Sequence, residues 1–280
     1  MEEYLKESCK VLEKNNITGV YESIKDYSQE NRKQMLLDAG YLEQDILKYM
    51  EDSKKYLDEN GDLQLSNEEK EEIIAKFKSN VLLGQYTKNK NVIYVLGLPG
   101  AGKSSLISKI KEGFKNCEFL QIDADDFKFG VDQNGKQVVP SFVNPKLKGI
   151  DINSIHELSS NLAFLALESF SSESYDLVLP KVGGNLDTIR KSIKSLRKKG
   201  YKIYIHFVFT TIETSLKRNL KRYRDNLAAG KEVRLVDPNY IINLGYRPLY
   251  NFIKLAETSS CDEFVFWNGE KNPPKKYLLK

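Results

Sequence analysis

The most constraining feature of this sequence is a short glycine-rich segment that ends in lysine and serine, Gly97-Leu98-Pro99-Gly100-Ala101-Gly102-Lys103-Ser104. It matches the pattern G-x-x-x-x-G-K-[ST] at every required position, and it follows the apolar stretch 92–96, which is typical of a buried strand. The outer glycines allow a tight turn whose amide groups point at a phosphate chain. The segment therefore predicts a strand–loop–helix unit that binds a nucleoside triphosphate.

The residue types in this loop suit the chemistry of a magnesium–nucleotide. Lys103 supplies a cation for the β- and γ-phosphates, Ser104 offers a hydroxyl group to Mg²⁺, and the following helix presents its positive N-terminal end. We therefore expect ATP and Mg²⁺ as ligands, and a nucleotide site formed by Gly97, Leu98, Pro99, Gly100, Ala101, Gly102, Lys103, Ser104 and Ser105.

Composition narrows the class of protein. The 280 residues include 43 basic and 39 acidic side chains, and this near balance does not favour nucleic acid as the partner. Three cysteines, far apart in the chain, predict a reduced, cytoplasmic setting. No apolar run approaches the roughly 18 residues of a membrane span, so we expect no membrane partner.

The chain divides near residue 88. Residues 1–87 contain helical patterns without a buried-strand pattern, and they predict a small all-helical N-terminal domain. Residues 88–280 alternate between strand and helix patterns, which predicts an α/β fold with a mainly parallel five-stranded sheet flanked by helices. The predicted strands are 91–96, 118–122, 176–179, 202–209 and 264–266. The predicted helices of this part are 103–114, 154–170, 187–199, 212–228 and 239–256.

An acidic segment and a basic helix follow the glycine-rich loop. The second predicted strand runs into Asp123, Asp125 and Asp126, where a carboxylate can hold Mg²⁺ or accept the proton of a substrate hydroxyl. Arg218 and Arg222 lie one turn apart in the basic stretch 215–224. Arginines on such a helix can stabilise a transferring phosphoryl group, although a solvated basic face or an RNA-binding patch also fits the pattern.

From about residue 90 to 240, the order and spacing of these motifs resemble the zeta-toxin kinases, P-loop enzymes that phosphorylate UDP-N-acetylglucosamine. The segment Ile122-Asp123-Ala124-Asp125-Asp126-Phe127-Lys128 is similar to the family's I-D-x-D-x-F-K segment, and Arg222-Tyr223 and Arg234 are similar to its two lid arginines. The resemblance implies a P-loop kinase fold. It implies Asp125 as the catalytic base, and Lys103, Arg222 and Arg234 as the other catalytic residues.

The acceptor site departs from the family pattern. Phe164, Pro180 and Val182 stand where the family has two glutamates and a threonine that hold the sugar nucleotide. The acceptor therefore stays open between a sugar nucleotide, a nucleotide or dinucleotide such as NAD, and a polynucleotide 5′-hydroxyl. A non-catalytic, ATP-gated interaction module is a further alternative.

Residues near the predicted acceptor cleft give candidate contacts. His156 begins a helix that faces this cleft, although Ser154 and Glu157 beside it form a capping-box pattern. Lys181 and Asn185 follow the third predicted strand, whose end faces the cleft. We expect the small-molecule acceptor to contact Asp123, Asp126, His156, Lys181 and Asn185, with Asp123 and Ser104 as the metal ligands.

The N-terminal part carries two further hypotheses. Residues 58–69 resemble a calcium-binding EF-hand loop, but Leu63 stands where that loop needs glycine, and a turn followed by a capping box explains much of the pattern. The kinase resemblance also implies an antitoxin-like helical inhibitor. Residues 1–86 have a suitable size to inhibit in cis, and an inhibitor could also be a separate chain acting in trans. A structural cap or a partner-docking domain is the other alternative for this segment.

Overall fold

Buried apolar strands form the centre of the molecule. The computed structural model describes residues 2–24, 32–42, 65–81, 84–128, 130–131, 137–138, 156–230, 235–259, 261–271 and 273–279. Its strands are β1 (Asn91–Leu96), β2 (Leu120–Gln121), β3 (Gly130–Val131), β4 (Gln137–Val138), β5 (Leu177–Lys181), β6 (Lys202–Phe209), β7 (Glu263–Asn268) and β8 (Lys275–Leu278). β3 and β4 pair as a separate two-stranded ribbon inside the stretch that follows the acidic segment.

The main sheet has the strand order β2-β5-β1-β6-β7-β8, and all its neighbouring strands are parallel except β7 and β8. Every residue of β1 is buried, as expected for a central strand with helices on both faces. This arrangement confirms the predicted α/β fold with a mostly parallel sheet. The sixth strand, β8, was not predicted because its sequence is mostly polar and exposed.

Helices cover both faces of this sheet and also make up the described N-terminal part. They are α1 (Glu2–Lys14), α2 (Val20–Ile24), α3 (Arg32–Asp38), α4 (Asn67–Val81), α5 (Lys103–Lys111), α6 (His156–Ser172), α7 (Leu186–Lys198), α8 (Ile212–Ala228), α9 (Pro238–Leu244) and α10 (Arg247–Thr258). The helix predicted over 239–256 is therefore two helices. The chain leaves the helical conformation at Gly245, and Pro248 occupies the first turn of α10, where its missing N–H group costs no hydrogen bond.

The N-terminal helices share one hydrophobic core with the sheet-bearing part. Phe77 of α4 packs against Phe127 and Phe170, with ring centroids 4.5 and 6.2 Å apart. Tyr4 of α1 meets Tyr250 of α10 edge to face at 4.8 Å. The division near residue 88 stays a prediction, but the described helices on its N-terminal side are packed onto the rest of the molecule.

The parallel strands bring the functional segments to one edge of the sheet. Leu96 at the end of β1 is in register with Lys181 at the end of β5 and with Phe207 near the end of β6. The glycine-rich loop follows β1, the acidic segment follows β2, and α8 with its arginines follows β6. The carboxyl edge of such a sheet is where ligands bind in open α/β folds.

Candidate active site

The glycine-rich loop joins β1 to α5 in a conformation that requires glycine. Gly97 has φ +151°, and a Cβ atom there would lie 2.5 Å from the carbonyl oxygen of Val208. The Nζ atom of Lys103 donates hydrogen bonds to the carbonyl oxygens of Gly97 and Leu98, at 2.9 and 3.0 Å. No side chain caps the N-terminus of α5, so its first N–H groups face the loop. This is the geometry of a phosphate-binding loop.

Lys103 occupies an unusual electrostatic position. Burial lowers the pKa of its ammonium group to about 8, while Asp123 and Asp125 act in the opposite direction and Arg222 adds to the lowering. A desolvated cation close to a second cation is stabilised by an anion that binds between them. The loop is therefore an anion-binding site by its electrostatics as well as by its backbone geometry.

Helix α8 holds the loop from one side. The Oγ atom of Ser215 donates a hydrogen bond to the carbonyl oxygen of Pro99 at 2.6 Å. Gly100 has φ +74°, and a Cβ atom at this position would lie 2.7 Å from the side-chain nitrogen of Asn219 and 3.0 Å from the carbonyl oxygen of Ser215. The loop and the helix are thus in direct contact through Gly100, a residue that the sequence pattern leaves free.

The acidic segment forms a 3₁₀ turn over Ala124–Phe127 that separates its carboxylates. Asp123 accepts a hydrogen bond from the Asp125 amide, and Asp126 accepts one from the Asp123 amide, both at 3.1 Å. Asp126 is therefore committed to the turn and is not among the residues that line the cavity, whereas Asp123 and Asp125 line it. Burial, and then the charge of Asp123, raise the pKa of Asp126 to about 7.

Lys128 links the acidic turn to helix α6. Its side chain is 1% exposed, and its Nζ atom lies 3.0 Å from Asp125 Oδ1 and 2.9 Å from His156 Nδ1. The Asp125 side chain, by contrast, is 55% exposed and reaches the cavity. Sequence reasoning treated Lys128 only as part of a motif. The signal that identifies it is its spacing, because residues three apart in a helical turn lie on the same side.

Two arginines of α8 line the cavity. A guanidinium nitrogen of Arg222 donates a hydrogen bond to Asn219 Oδ1 at 3.0 Å, and one of Arg218 donates to the Gly269 carbonyl oxygen at 3.2 Å. The one-turn spacing in the sequence therefore corresponds to two guanidinium groups on the same side of the helix. Arg234, the second predicted lid arginine, lies outside the described residues.

The end of β5 contributes Lys181 to the cavity, between neutral residues. Burial lowers the pKa of Lys181, and Asp123 opposes this effect. Asn185 does not line the cavity, because its side-chain oxygen caps α7 by accepting a hydrogen bond from the Thr188 amide at 3.0 Å. Pro180 and Val182 do line it, while Phe164 is 47% exposed and lies away from it.

These elements enclose a cavity of about 530 Å³. Of the predicted site residues, it brings together Pro99, Gly100, Gly102, Lys103, Ser104, Ser105, Asp123, Asp125, His156, Lys181 and Arg222. It also includes Arg218, which the sequence paired with Arg222 on the basic helix, and residues that the sequence did not single out as site residues: Ala124, Lys128, Ser160, Pro180, Val182, Val236 and Tyr240. Ser160 follows His156 by four residues in α6, so helical spacing was the available signal for it.

The residues of the cavity fit a magnesium–nucleotide. Ser104 and Asp123 provide the oxygen donors that Mg²⁺ prefers, and both lie on the loop side of the cavity with Lys103. The described part of the chain contains no cluster of three or more acidic, histidine or cysteine side chains that could hold a metal ion by themselves. The predicted calcium loop falls largely on residues 58–64, which lie outside the described residues. Among the described helices, none is long and apolar enough to cross a membrane.

Together, the fold and the site define a P-loop nucleotide-binding protein with a kinase-like architecture. The sequence model of the zeta toxin family matches residues 79–271, which is more than half of the sequence. The chain therefore belongs to the zeta toxin family, as the motifs in the sequence indicated.

Solved structures match this chain at low sequence identity. A structure of the PezAT chromosomal toxin–antitoxin system of Streptococcus pneumoniae matches with a TM-score of 0.57 and 20% identity, over 74% of this chain and 79% of that one. The AvrRxo1-ORF1:AvrRxo1-ORF2 structure with sulphate ions matches with a TM-score of 0.45 and 12% identity, over 90% of this chain and 71% of that one. No curated protein sequence matches this chain significantly.

Proposed function

We propose that this protein is an ATP- and Mg²⁺-dependent kinase that transfers the γ-phosphate to a hydroxyl group of a small metabolite, with a sugar nucleotide such as UDP-N-acetylglucosamine as the first candidate. The observation that supports this most strongly is that Lys103, Asp125 and Arg222 line one cavity. A cation for the phosphates, a carboxylate base and a guanidinium group are the parts that phosphoryl transfer requires.

The nucleotide half of the cavity binds and orients the donor. The loop amides and Lys103 hold the β- and γ-phosphates, and Ser104 and Asp123 would hold Mg²⁺. When bound, Mg²⁺ neutralises charge on the phosphate oxygens. Arg222, together with Arg234, stabilises the additional negative charge that develops on the transferred group. ATP is the proposed donor because the glycine-rich loop has the pattern of a nucleoside-triphosphate site and because the family resemblance implies a P-loop kinase.

Asp125 takes the proton of the acceptor. As the acceptor oxygen bonds to the γ-phosphorus, the bond from that phosphorus to the departing ADP oxygen breaks, and the hydroxyl proton passes to the Asp125 carboxylate. Lys128 holds the Asp125 carboxylate through a hydrogen bond to Oδ1, at the wall of the cavity that the acceptor would enter. Lys128 is thus a positioning residue for the base, and it also holds His156 at the same wall of the cavity.

The acceptor half of the cavity has polar and charged residues to bind a hydroxyl-bearing metabolite. His156, Ser160 and Lys181 line it together with the neutral residues Pro180 and Val182. Within the described part of the chain, the side chain of Lys181 makes no hydrogen bond or ion pair, so its ammonium group is available to an acceptor. Asp126 and Asn185 are no longer proposed as acceptor contacts, because both side chains cap their own turns.

The proposed role of Lys181 predicts a selective defect. Lys181→Met should raise the KM for the acceptor by about tenfold, because roughly one charged hydrogen bond to the acceptor is lost. The affinity for ATP should change by less than about threefold. Steady-state kinetics and ATP binding, measured on the same preparation, separate the two effects. Equal loss of ATP affinity would place Lys181 on the nucleotide instead of the acceptor.

The experiment that tests the proposed function is transfer of label from γ-labelled ATP in the presence of Mg²⁺. UDP-N-acetylglucosamine, NAD and a 5′-hydroxyl oligonucleotide serve as parallel acceptors. Label on UDP-N-acetylglucosamine supports the proposal in full, and label on one of the other two retains the kinase but changes the acceptor. A protein that binds ATP and labels none of the acceptors behaves as the non-catalytic interaction module.

An antitoxin is the proposed protein partner. The PezAT structure is that of a toxin–antitoxin system, and its fold resembles that of this chain. We propose a separate inhibitory chain, with inhibition by residues 1–86 as the alternative. The reduced, cytoplasmic setting is also proposed, and it is supported by Cys9, Cys117 and Cys261, none of which forms a disulfide bond in the described part of the chain.

A further inference from the structure

Helix α8 has contacts on two sides, and only one of them is explained by the cavity. On the first side, Ser215 and Asn219 contact the phosphate loop, and Asn219 accepts a hydrogen bond from Arg222. The position of the Arg222 guanidinium group therefore depends on where α8 lies relative to the loop. On the second side, Leu216 and Leu220 are buried, and both a segment that precedes residue 88 and helix α9 pack against α8.

That segment is α3 with the turn that follows it, residues 32–41, which we call the N-terminal clamp. The clamp packs against α8. The Tyr41 hydroxyl group donates a hydrogen bond to the Leu216 carbonyl oxygen at 3.3 Å, and the Arg224 guanidinium group donates one to the Gly40 carbonyl oxygen at 3.1 Å. Leu36, Ala39 and Tyr41 are all buried, so the contact is apolar as well as polar.

The charges around Tyr41 show which part of α8 the clamp reaches. Burial raises the pKa of the Tyr41 hydroxyl to about 12, and Arg224, Asp237 and Arg222 are the charged groups that act on it. Arg222 lines the cavity, and Asp237 caps the beginning of α9. The clamp thus lies behind the turn of α8 that carries the cavity arginine, and next to the start of the following helix.

We infer that the N-terminal clamp holds α8 against the phosphate loop and thereby positions Arg222 for phosphoryl transfer. This inference rests on the proposed function for its catalytic consequence, but its structural part is independent of it. The clamp touches the back of α8 and no described residue of it lines the cavity. The clamp, residues 32–41, therefore supports the active geometry.

The structural part is tested by hydrogen exchange of the full chain. Tyr41→Ala should accelerate amide exchange over residues 215–224 by at least about tenfold, because the helix loses its buried support. Tyr4→Ala is the matched control, since Tyr4 packs on α10 in the same N-terminal part and makes an aromatic contact of its own. Arg224→Gln, at an exposed helix position, serves if Tyr41→Ala does not fold, and a smaller acceleration is expected. Unchanged exchange over residues 215–224 in the folded variant would overturn the inference.

The catalytic part is tested by the affinities for ADP alone and for ADP with aluminium fluoride, which imitates the transferring phosphoryl group. In the wild type, aluminium fluoride should increase the affinity for ADP. In Tyr41→Ala, the ratio of the affinity with aluminium fluoride to the affinity for ADP alone should fall by at least about tenfold, while the affinity for ADP alone stays within about threefold of the wild type. Arg222→Ala should behave in the same way. Equal tightening in Tyr41→Ala and Tyr4→Ala would refute the positioning role. If the wild type shows neither this gain in affinity nor label transfer, the proposed kinase function is refuted. The hydrogen-exchange measurement would still test whether the clamp supports α8.

Discussion

At the scale of single residues, Asp125 and Asp126 show how neighbours with the same chemistry acquire different roles. Asp125 extends into the cavity and is held by Lys128, whereas Asp126 turns back to the Asp123 amide. The turn geometry, which a linear motif does not contain, decides between them. The 3₁₀ turn places one carboxylate outward and uses the next as a cap.

The raised pKa of Asp126 predicts that the stability of the protein depends on pH. Its folded-state pKa, raised from 3.8 to about 7, means that the folded protein retains a proton that the unfolded chain has released. Stability therefore falls as the pH rises from about 4 to about 7. The side chain of the Asp126→Asn variant does not titrate, so the variant avoids this loss. The melting temperature of the variant minus that of the wild type should therefore increase between pH 4 and pH 8, by about 2–4 °C for each kcal/mol of stability that the wild type loses. A constant difference across this range would contradict the assignment.

Other residues divide into those that sequence can identify and those that it cannot. Gly97, Lys103 and Ser104 are readable because the phosphate loop uses local backbone geometry, which depends on consecutive residues. Lys128 and Tyr41 act through contacts with residues 28 and 175 positions away, His156 and Leu216. A single sequence carries no signal for such distant pairs, and that is why these two contacts were not predicted. The contact of Lys128 with Asp125 is different, because it follows from their spacing of three residues.

At the scale of elements, the docking of the phosphate loop on α8 decides how rigid the nucleotide site is. Gly100 has a positive φ and no room for a Cβ atom beside Asn219. Gly100→Ala should therefore push the loop away from α8 and weaken ATP binding by at least about tenfold, roughly 1.4 kcal/mol. Equilibrium binding of ATP measures this effect.

Gly19→Ala is the control for the Gly100 experiment. Gly19 has φ +80° and open space around it, so alanine there incurs the backbone strain of about 1–2 kcal/mol without any collision. We expect this variant to lose stability but to keep its ATP affinity. If both variants bind ATP as tightly as the wild type, the contact between loop and helix is not important for the site.

The bounds of strands and helices could be predicted from the sequence wherever the apolar pattern was clear. β1, β6 and α8 have the predicted bounds because a run of apolar residues or a clear helical period defines each of them. The region 238–258 was misread as one helix, since its apolar spacing continues across Gly245. β8 has no apolar pattern, and it forms because its backbone pairs with the edge of β7.

At the scale of the whole molecule, the described N-terminal helices are part of a common core. Leu12 of α1 has no exposed surface, and it belongs to the same buried cluster as the central strands. We expect the full chain to unfold in one cooperative transition. Leu12→Ala should lower the free energy of unfolding by about 2–5 kcal/mol and shift that single transition. Calorimetry that resolves two transitions, with only one of them shifted, would show that the N-terminal part folds separately.

The measurement that tests the central claim most directly is the rate of γ-phosphate transfer by Asp125→Asn at saturating ATP and Mg²⁺. If Asp125 is the base, the rate should fall by about 10²–10⁴-fold while ATP binding is retained. Asp187→Asn, an exposed position in the first turn of α7, is the matched control and should keep the wild-type rate. A wild-type rate in Asp125→Asn would contradict the assignment of the base, and with it the proposed mechanism of this site.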